Sequence, residues 1–171
     1  MKKFILAALF VVSSIVSFSQ SEPATYPIIR NILIKTHVFA EKMETCGLSS
    51  TSEDFLNSPC IASEKEELAD ALIAAFPLNL TNDFSSFLSN PEEVERTAIL
   101  AREACCLGVV IGSAANNLGL YACYANVFPV VQSAYNSMIS QGFSVATARM
   151  LMLQLAAEAI QFCKDHYTPT N

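Results

Sequence analysis

The feature that most constrains the fold is the longest uncharged stretch of the chain, residues 104–148. These forty-five consecutive residues, from Ala104 to Ala148, contain no Asp, Glu, Lys, Arg or His. Charged side chains are seldom buried without a partner, so an uncharged run of this length predicts a segment of the protein interior. Gly108 and Gly112, four positions apart, favour a close approach between helices. We therefore expect an uncharged helical hairpin at the centre of the fold.

The same stretch is not expected to cross a membrane. A transmembrane helix needs about 20 consecutive apolar residues. Residues 105–115 are too few, and Pro129 interrupts residues 118–131. Packing inside a folded domain is therefore the preferred interpretation, with no stable membrane span.

The first 19 residues have the pattern of a secretory signal peptide. Two lysines precede a short apolar segment, residues 4–12. Ser17 and Ser19 then supply the small side chains found at positions −3 and −1 of a cleavage site. We expect residues 1–19 to be removed, residues 20–171 to fold as a single domain, and the protein to be secreted to the extracellular space.

Six cysteines follow the predicted signal peptide, and an even number in an exported chain indicates disulfide bonds. The candidate disulfide residues are Cys46, Cys60, Cys105, Cys106, Cys123 and Cys163. They lack the C-x-x-C spacing of a metal site, so we expect no metal and no other cofactor. A bond between Cys46 and Cys60 would close the loop between them and contribute about 3 kcal/mol through loop entropy. The alternative is that these two pair with the core cysteines.

Cys105 and Cys106 are adjacent, which limits how they can pair. Neighbouring residues on a helix point about 100° apart, so the two are expected to bond to different partners. Cys123 and Cys163 lie on the two helices that follow and are the candidate partners. Such bonds would tie the hairpin to two different helices.

The charge balance argues against several classes of partner. The chain has 10 Lys and Arg residues and 16 Asp and Glu residues, and two of the lysines lie in the predicted signal peptide. The secreted part therefore carries a net charge of 8 − 16 = −8. Nucleic acids and anionic membranes are bound through clusters of basic residues, which the sequence lacks. We expect the acidic surface to provide solubility.

Local signals predict helices in the first half of the chain. Pro27 can open a helix, and Gly47 is placed to end it. Ser63 and Glu66 have the spacing of a capping box at the start of a second helix. A short helix over residues 82–89 follows. No strand-like alternation appears in the chain, so the predicted fold is an all-α, disulfide-stabilised bundle of five to six helices.

Local sequence signals also predict where helices begin and end in the second half of the chain. Asn90 is suited to be the N-cap of a helix that continues into the uncharged stretch. Asn116 to Gly119 predict a reversal, and the next helix is expected to bend or restart near Pro129. Gly142 is placed to end that helix, and Ser144 to open the last one.

No arrangement of residues points to catalysis, and we expect the protein not to be an enzyme. The two histidines, His37 and His166, do not belong to a recognisable catalytic pattern. No serine lies in a G-x-S-x-G motif. The acidic pairs at 66–67 and 92–93 each fall in the first turn of a predicted helix, where they favour the helix dipole.

Two further features point to binding or modification. Several aromatic and apolar side chains could line a cavity for a small apolar ligand or lipid between the helices. They are Phe84, Phe87, Tyr121, Tyr124, Phe128 and Met138. Asn79 begins the tripeptide Asn79-Leu80-Thr81, which is an acceptor for N-glycosylation if the source cell is eukaryotic.

Two segments carry a resemblance to a known family. Residues 134–144, AYNSMISQGFS, are similar to the helical repeat and terminal domains of spider silk proteins (spidroins). In that family an Ala–aromatic pair, a Leu or Ile four residues on, then Gly, an apolar residue and Ser recur between short helices. Residues 68–76, LADALIAAF, resemble a helix segment of the N-terminal domains of those proteins. The two segments cover about twenty residues, and the chain lacks long Ala/Gly repeats, so the resemblance implies a small silk-associated or domain-like relative.

These features lead to one leading hypothesis and two alternatives. The leading hypothesis is a secreted, non-enzymatic helical bundle that acts through protein contacts, as a structural or self-associating protein. The first alternative is a carrier of a small apolar ligand or lipid. The second is a periplasmic binding or immunity protein, if the signal peptide is bacterial.

Overall fold

The computed structural model describes residues 22–52, 55–105 and 114–167, with side chains from residue 117 in the last range, and the regular structure in these ranges is helical. This confirms the predicted all-α, disulfide-stabilised bundle. The predicted signal peptide, Cys106, and the glycines at 108 and 112 lie outside the described residues. The six α-helices of the described ranges are α1 (Tyr26–Thr45), α2 (Ala62–Ala75), α3 (Thr81–Leu88), α4 (Pro91–Cys105), α5 (Ala114–Ser140) and α6 (Val145–Tyr167).

Several helix ends lie where the sequence signals predicted them. The side-chain oxygen of Asn90 accepts a hydrogen bond from the backbone N–H of Glu92 at 3.1 Å, which caps α4. The hydroxyl of Ser144 accepts one from the N–H of Thr147 at 3.1 Å, which caps α6. These bonds satisfy donors that the first turn of a helix leaves free. Gly47 follows α1 with a φ of 63°, a conformation that glycine adopts without steric cost.

The predicted capping box of α2 is wrong. α2 begins at Ala62, so Ser63 lies within its first turn, and its hydroxyl donates to the carboxylate of Glu67 at 3.1 Å. The chain enters α2 from two short 3₁₀ turns, Phe55–Asn57 and Pro59–Ile61. The second turn carries the helical conformation up to α2, so the helix starts before the predicted cap.

The reversal predicted at Asn116 to Gly119 is also wrong, because these residues belong to α5. Gly119 has a packing role instead. A Cβ atom at this position would lie 3.0 Å from Cδ1 of Tyr167 at the end of α6. The glycine lets the Tyr167 ring lie close to the α5 backbone. Beyond it, α5 continues through Pro129 as a single helix.

The helix at the centre of the bundle is α1, which contacts every other α-helix of the described ranges. Its side chains Ile29, Leu33, Phe39 and Met43 are fully buried. The most extensive contact between two helices joins α5 to α6, which pack as an antiparallel pair. The described part of the uncharged stretch supplies α5 and the connection to α6. In those ranges no helix is both long and apolar enough to cross a membrane.

Two disulfides, each between cysteines of the described ranges, reinforce this arrangement. Cys46 is bonded to Cys60, which closes the loop between α1 and the second 3₁₀ turn and settles the alternative left open by the sequence. Cys123 is bonded to Cys163 and joins α5 to α6. The predicted pairing of Cys105 and Cys106 with these two cysteines is therefore wrong. Cys123 and Cys163 lie on the facing sides of two adjacent antiparallel helices, with Cα atoms 5.7 Å apart, which places them within reach of each other.

Candidate functional site

The α5–α6 pair ends in an exposed apolar surface, which we call the tip and define as residues 139–151. It comprises the end of α5, the connection, and the first two turns of α6. Five large apolar side chains of the tip are 38 to 63 % exposed: Ile139, Phe143, Val145, Met150 and Leu151. Single exposed apolar side chains are ordinary, whereas a group of them in one short segment is typical of a contact surface.

The backbone of the tip is held in one conformation by local hydrogen bonds. The N–H of Gly142 donates to the carbonyl of Ile139, and the N–H of Phe143 donates to the carbonyl of Met138, both at 3.1 Å. This is the pattern of a Schellman motif, and Gly142 has the positive φ of 87° that the motif requires. Ser144 then caps α6 directly. The exposed side chains therefore project from a connection of fixed shape.

The tip carries no free charge. Arg149 is its one ionisable residue, and the guanidinium of Arg149 is bound to Glu66 at 2.7 Å and to Asp70 at 2.8 Å on α2. These carboxylates neutralise Arg149 where α6 leaves the tip. The two carboxylates outnumber the one cation, so this ion cluster has a formal charge of 1 − 2 = −1, while the apolar side chains of the tip carry none.

A second cluster lies at the other end of the α5–α6 pair, where both helices meet α1. We call it the polar joint. It consists of His37, Glu41 and Glu44 of α1, Tyr121 and Tyr124 of α5, and Lys164 of α6. The amine of Lys164 is bound to Oε1 of Glu41 at 2.8 Å and also to the carboxylate of Glu44. Only 10 % of the Lys164 side chain is exposed, so its charge depends on these two partners.

Two polar atoms of the joint are buried without a hydrogen-bond partner among the described residues. They are Nδ1 of His37 and the phenol oxygen of Tyr124. The rings of His37 and Tyr121 pack edge to face, with their centroids 6.2 Å apart. The ring centroids of Tyr121 and Tyr124 are 6.3 Å apart. A buried polar atom without a partner costs about 1–3 kcal/mol, so the joint is the least satisfied part of the described core.

Burial sets the protonation state of these groups. Burial lowers the pKa of His37, the nearby Lys164 cation lowers it further, and the Glu41 carboxylate opposes both. Burial raises the pKa of Tyr121 and of Tyr124 above their ordinary values. The imidazole and the two phenols of the joint are therefore neutral at neutral pH.

The residues predicted to line an apolar cavity are separated by the structure into different contacts. Phe84 contacts Phe128, with ring centroids 5.5 Å apart, whereas Tyr121 and Tyr124 belong to the polar joint. Phe87 packs against Tyr26 at 5.0 Å, and Met138 is partly buried against the core. A ligand cavity among these residues remains a prediction.

The other candidate residues are placed as follows. Asn79 is exposed in the connection between α2 and α3, and Thr81 begins α3. Glycosylation of Asn79 remains a prediction. His166 is exposed at the end of α6, where its ring lies 4.0 Å from that of Phe162. The described ranges contain no group of three or more His, Cys, Asp or Glu side chains arranged to hold a metal ion.

Sequence reasoning did not identify the polar joint. The spacing of His37 and Glu41, one helical turn apart, was the available signal, but their partners lie far along the chain at Tyr124 and Lys164. The tip was anticipated only as part of an interior segment. No protein family, curated protein or solved structure matches the chain, so its function has to be argued from these two clusters.

Proposed function

We propose that the protein is exported and acts through protein contacts, and that copies of it associate with one another through the tip. The observation that carries this proposal is the group of five exposed apolar side chains on a segment of fixed shape whose one ionisable residue is paired. Burying a large apolar side chain contributes about 1.5–3 kcal/mol when the side chain starts fully exposed. The partly exposed side chains of the tip would contribute less each, but all five belong to one segment of thirteen residues, 139–151.

The charge distribution supports a second copy of the chain as the partner. Beyond the predicted signal peptide the formal net charge is −8, so two copies repel each other over most of their surfaces. The tip itself carries no unpaired charge, so two copies can approach there at a lower electrostatic cost than where unpaired carboxylates face each other. A contact between two tips would also be isologous, the commonest geometry of homodimers.

The backbone of the tip supports the same proposal. Association is opposed by the entropy lost when loops and side chains become ordered. The hydrogen bonds of Gly142 and Phe143 already fix the connection, so little backbone entropy remains to be lost. A fixed apolar surface is therefore a better contact than a flexible loop of the same composition.

Two features support export. Residues 1–19 have the pattern of a signal peptide, and the chain contains the disulfides Cys46–Cys60 and Cys123–Cys163. Disulfides form and persist mainly in oxidising compartments outside the cytosol. A role as a structural protein of a secretion, in line with the resemblance to spider silk domains, belongs to this proposal.

The test measures molar mass against concentration by size-exclusion chromatography with light scattering on the oxidised, secreted protein. We expect the mass to rise with concentration, and the double variant Phe143→Ser with Val145→Ser to remain monomeric. The matched control is Ile99→Ser with Leu118→Ser, since these side chains are 42 % and 41 % exposed outside the tip. A wild-type protein that stays monomeric at the highest concentration, or a control that dissociates equally, would contradict the proposal.

A further inference from the structure

The polar joint has no part in contacts at the tip, yet it brings together a half-buried histidine whose Nδ1 is buried, a buried amine and a shared carboxylate. We propose that the joint responds to acid: protonated His37 takes over the carboxylate of Glu41 from Lys164 and thereby loosens the contact of the α5–α6 pair with α1. The proposal concerns a conformational change and does not depend on self-association.

The geometry places Glu41 between two cations. Glu41 follows His37 by four residues on α1, and side chains at this spacing lie one above the other on a helix. The same carboxylate is bound to the amine of Lys164 at 2.8 Å, and only 16 % of the Glu41 side chain is exposed. An imidazolium at His37 would therefore compete with Lys164 for one carboxylate.

The ring nitrogen Nδ1 of His37 is available for a new hydrogen bond. This nitrogen is buried and has no hydrogen-bond partner among the described residues. Protonation makes both ring nitrogens donors, which makes a buried Nδ1 without an acceptor more costly. Glu41 is the carboxylate whose charge acts on His37, and that charge favours the protonated ring.

The groups that face His37 from the other helices determine what happens next. α5 presents Tyr121 and Tyr124, which burial keeps neutral, and α6 presents Lys164. When Glu41 turns to His37, Lys164 retains Glu44, whose side chain is 70 % exposed. Lys164 would then be drawn outward toward solvent. Because Cys163 is bonded to Cys123, α6 stays attached to α5, and the pair moves relative to α1 as a unit.

The first measurement is the titration of His37 by nuclear magnetic resonance. The chain has two histidines, and the exposed ring of His166 provides a reference signal. The variant His166→Gln identifies which of the two signals belongs to His166. We expect Glu41→Gln to lower the pKa of His37 by about half a pH unit or more, and Lys164→Gln to raise it. Glu44→Gln is the matched control, because Glu44 shares Lys164 with Glu41, and we expect it to change the His37 pKa less.

The second measurement is amide hydrogen exchange in the last turn of α6, compared between wild type and His37→Gln at the same pH. Below the pKa of His37, exchange in the wild type should exceed that of the variant, and the two should agree at neutral pH. The proposal is overturned if Glu41→Gln leaves the titration of His37 unchanged. It is equally overturned if the variant shows the same acid-dependent exchange as the wild type.

Discussion

Gly119 lies inside α5 and Gly142 lies in the connection between α5 and α6, and the two glycines have different roles. Gly142 has a φ of 87°, and any other residue there would be strained in the turn that shapes the tip. Gly119 is in regular helix, and the ring of Tyr167 lies against it. At Gly119 two effects of a methyl group oppose each other, since helix propensity favours it and the contact with Tyr167 disfavours it.

The balance at Gly119 can be measured. Alanine stabilises a helix interior relative to glycine by about 1 kcal/mol, and Tyr167 is a half-exposed side chain at the end of α6 that can move aside. We expect Gly119→Ala to raise the free energy of unfolding in urea by less than that amount. The gain should be larger in a Tyr167→Ala background, where the contact is absent. An equal gain in both backgrounds would show that the contact has no energetic role.

His37 gives a prediction for the pH dependence of stability. Because burial lowers its pKa in the folded state, the unfolded chain, with a pKa near 6.5, binds the proton more readily. The contribution of neutral His37 is therefore present above that pH and is lost as the pH falls toward the folded-state pKa. Urea unfolding between about pH 7.5 and about pH 5 should show a larger loss of stability for wild type than for His37→Gln. Parallel losses in the two proteins would contradict the expectation.

Helix ends that depend on neighbouring residues were predicted correctly from the sequence. Helix ends that depend on residues far along the chain were not. Asn90, Gly142 and Ser144 were identified because a cap or a positive φ involves only the next few residues. Ser63 was misread because the 3₁₀ turns before α2 replace the cap. Gly119 was misread because its close contact is with Tyr167, far along the chain.

The candidate sites follow the same division. The polar joint brings together positions 37, 124 and 164, and no local sequence pattern predicts that these positions are in contact. The tip was missed as a surface because the absence of charge was taken to mean burial. An uncharged helix can still have one side exposed to solvent, and apolar atoms make up much of any protein surface. Both sites therefore depend on tertiary packing.

The two disulfides are expected to differ in their effect on stability because they close loops of different length. Cys46–Cys60 spans 14 residues and Cys123–Cys163 spans 40. The loop-entropy relation gives about 3 kcal/mol for the first and about 4 kcal/mol for the second. We expect the Cys123→Ala, Cys163→Ala double variant to lose more stability in urea than the Cys46→Ala, Cys60→Ala variant. The reverse order would show that local packing outweighs loop closure.

At the scale of the whole molecule, charge and apolar surface act in opposite directions. The formal net charge, −8 beyond the predicted signal peptide, keeps copies apart, whereas the apolar tip favours contact. The balance therefore depends on ionic strength. Added salt screens the repulsion and leaves the apolar contribution in place.

This dependence yields a prediction for association. Raising the salt concentration from about 0.02 M to about 0.5 M should shift the monomer–oligomer equilibrium toward the oligomer, as measured by sedimentation. The Phe143→Ser, Val145→Ser variant should remain monomeric at both concentrations. Dissociation of the wild-type oligomer by salt would instead indicate that ion pairs hold the copies together.

The bond between Cys123 and Cys163 also determines how the molecule would respond to mechanical force. Cys163 lies near the end of the last helix, and the bond bypasses the 40 positions that separate it from Cys123. Tension applied between the two ends of the chain would pass through the sulfur atoms, and the intervening segment would bear none of it. The tip lies within that segment, so it would keep its shape while helices outside the crosslink unravel. If copies associate through the tip as proposed, a pulled assembly of these molecules would stretch without losing its contact surfaces.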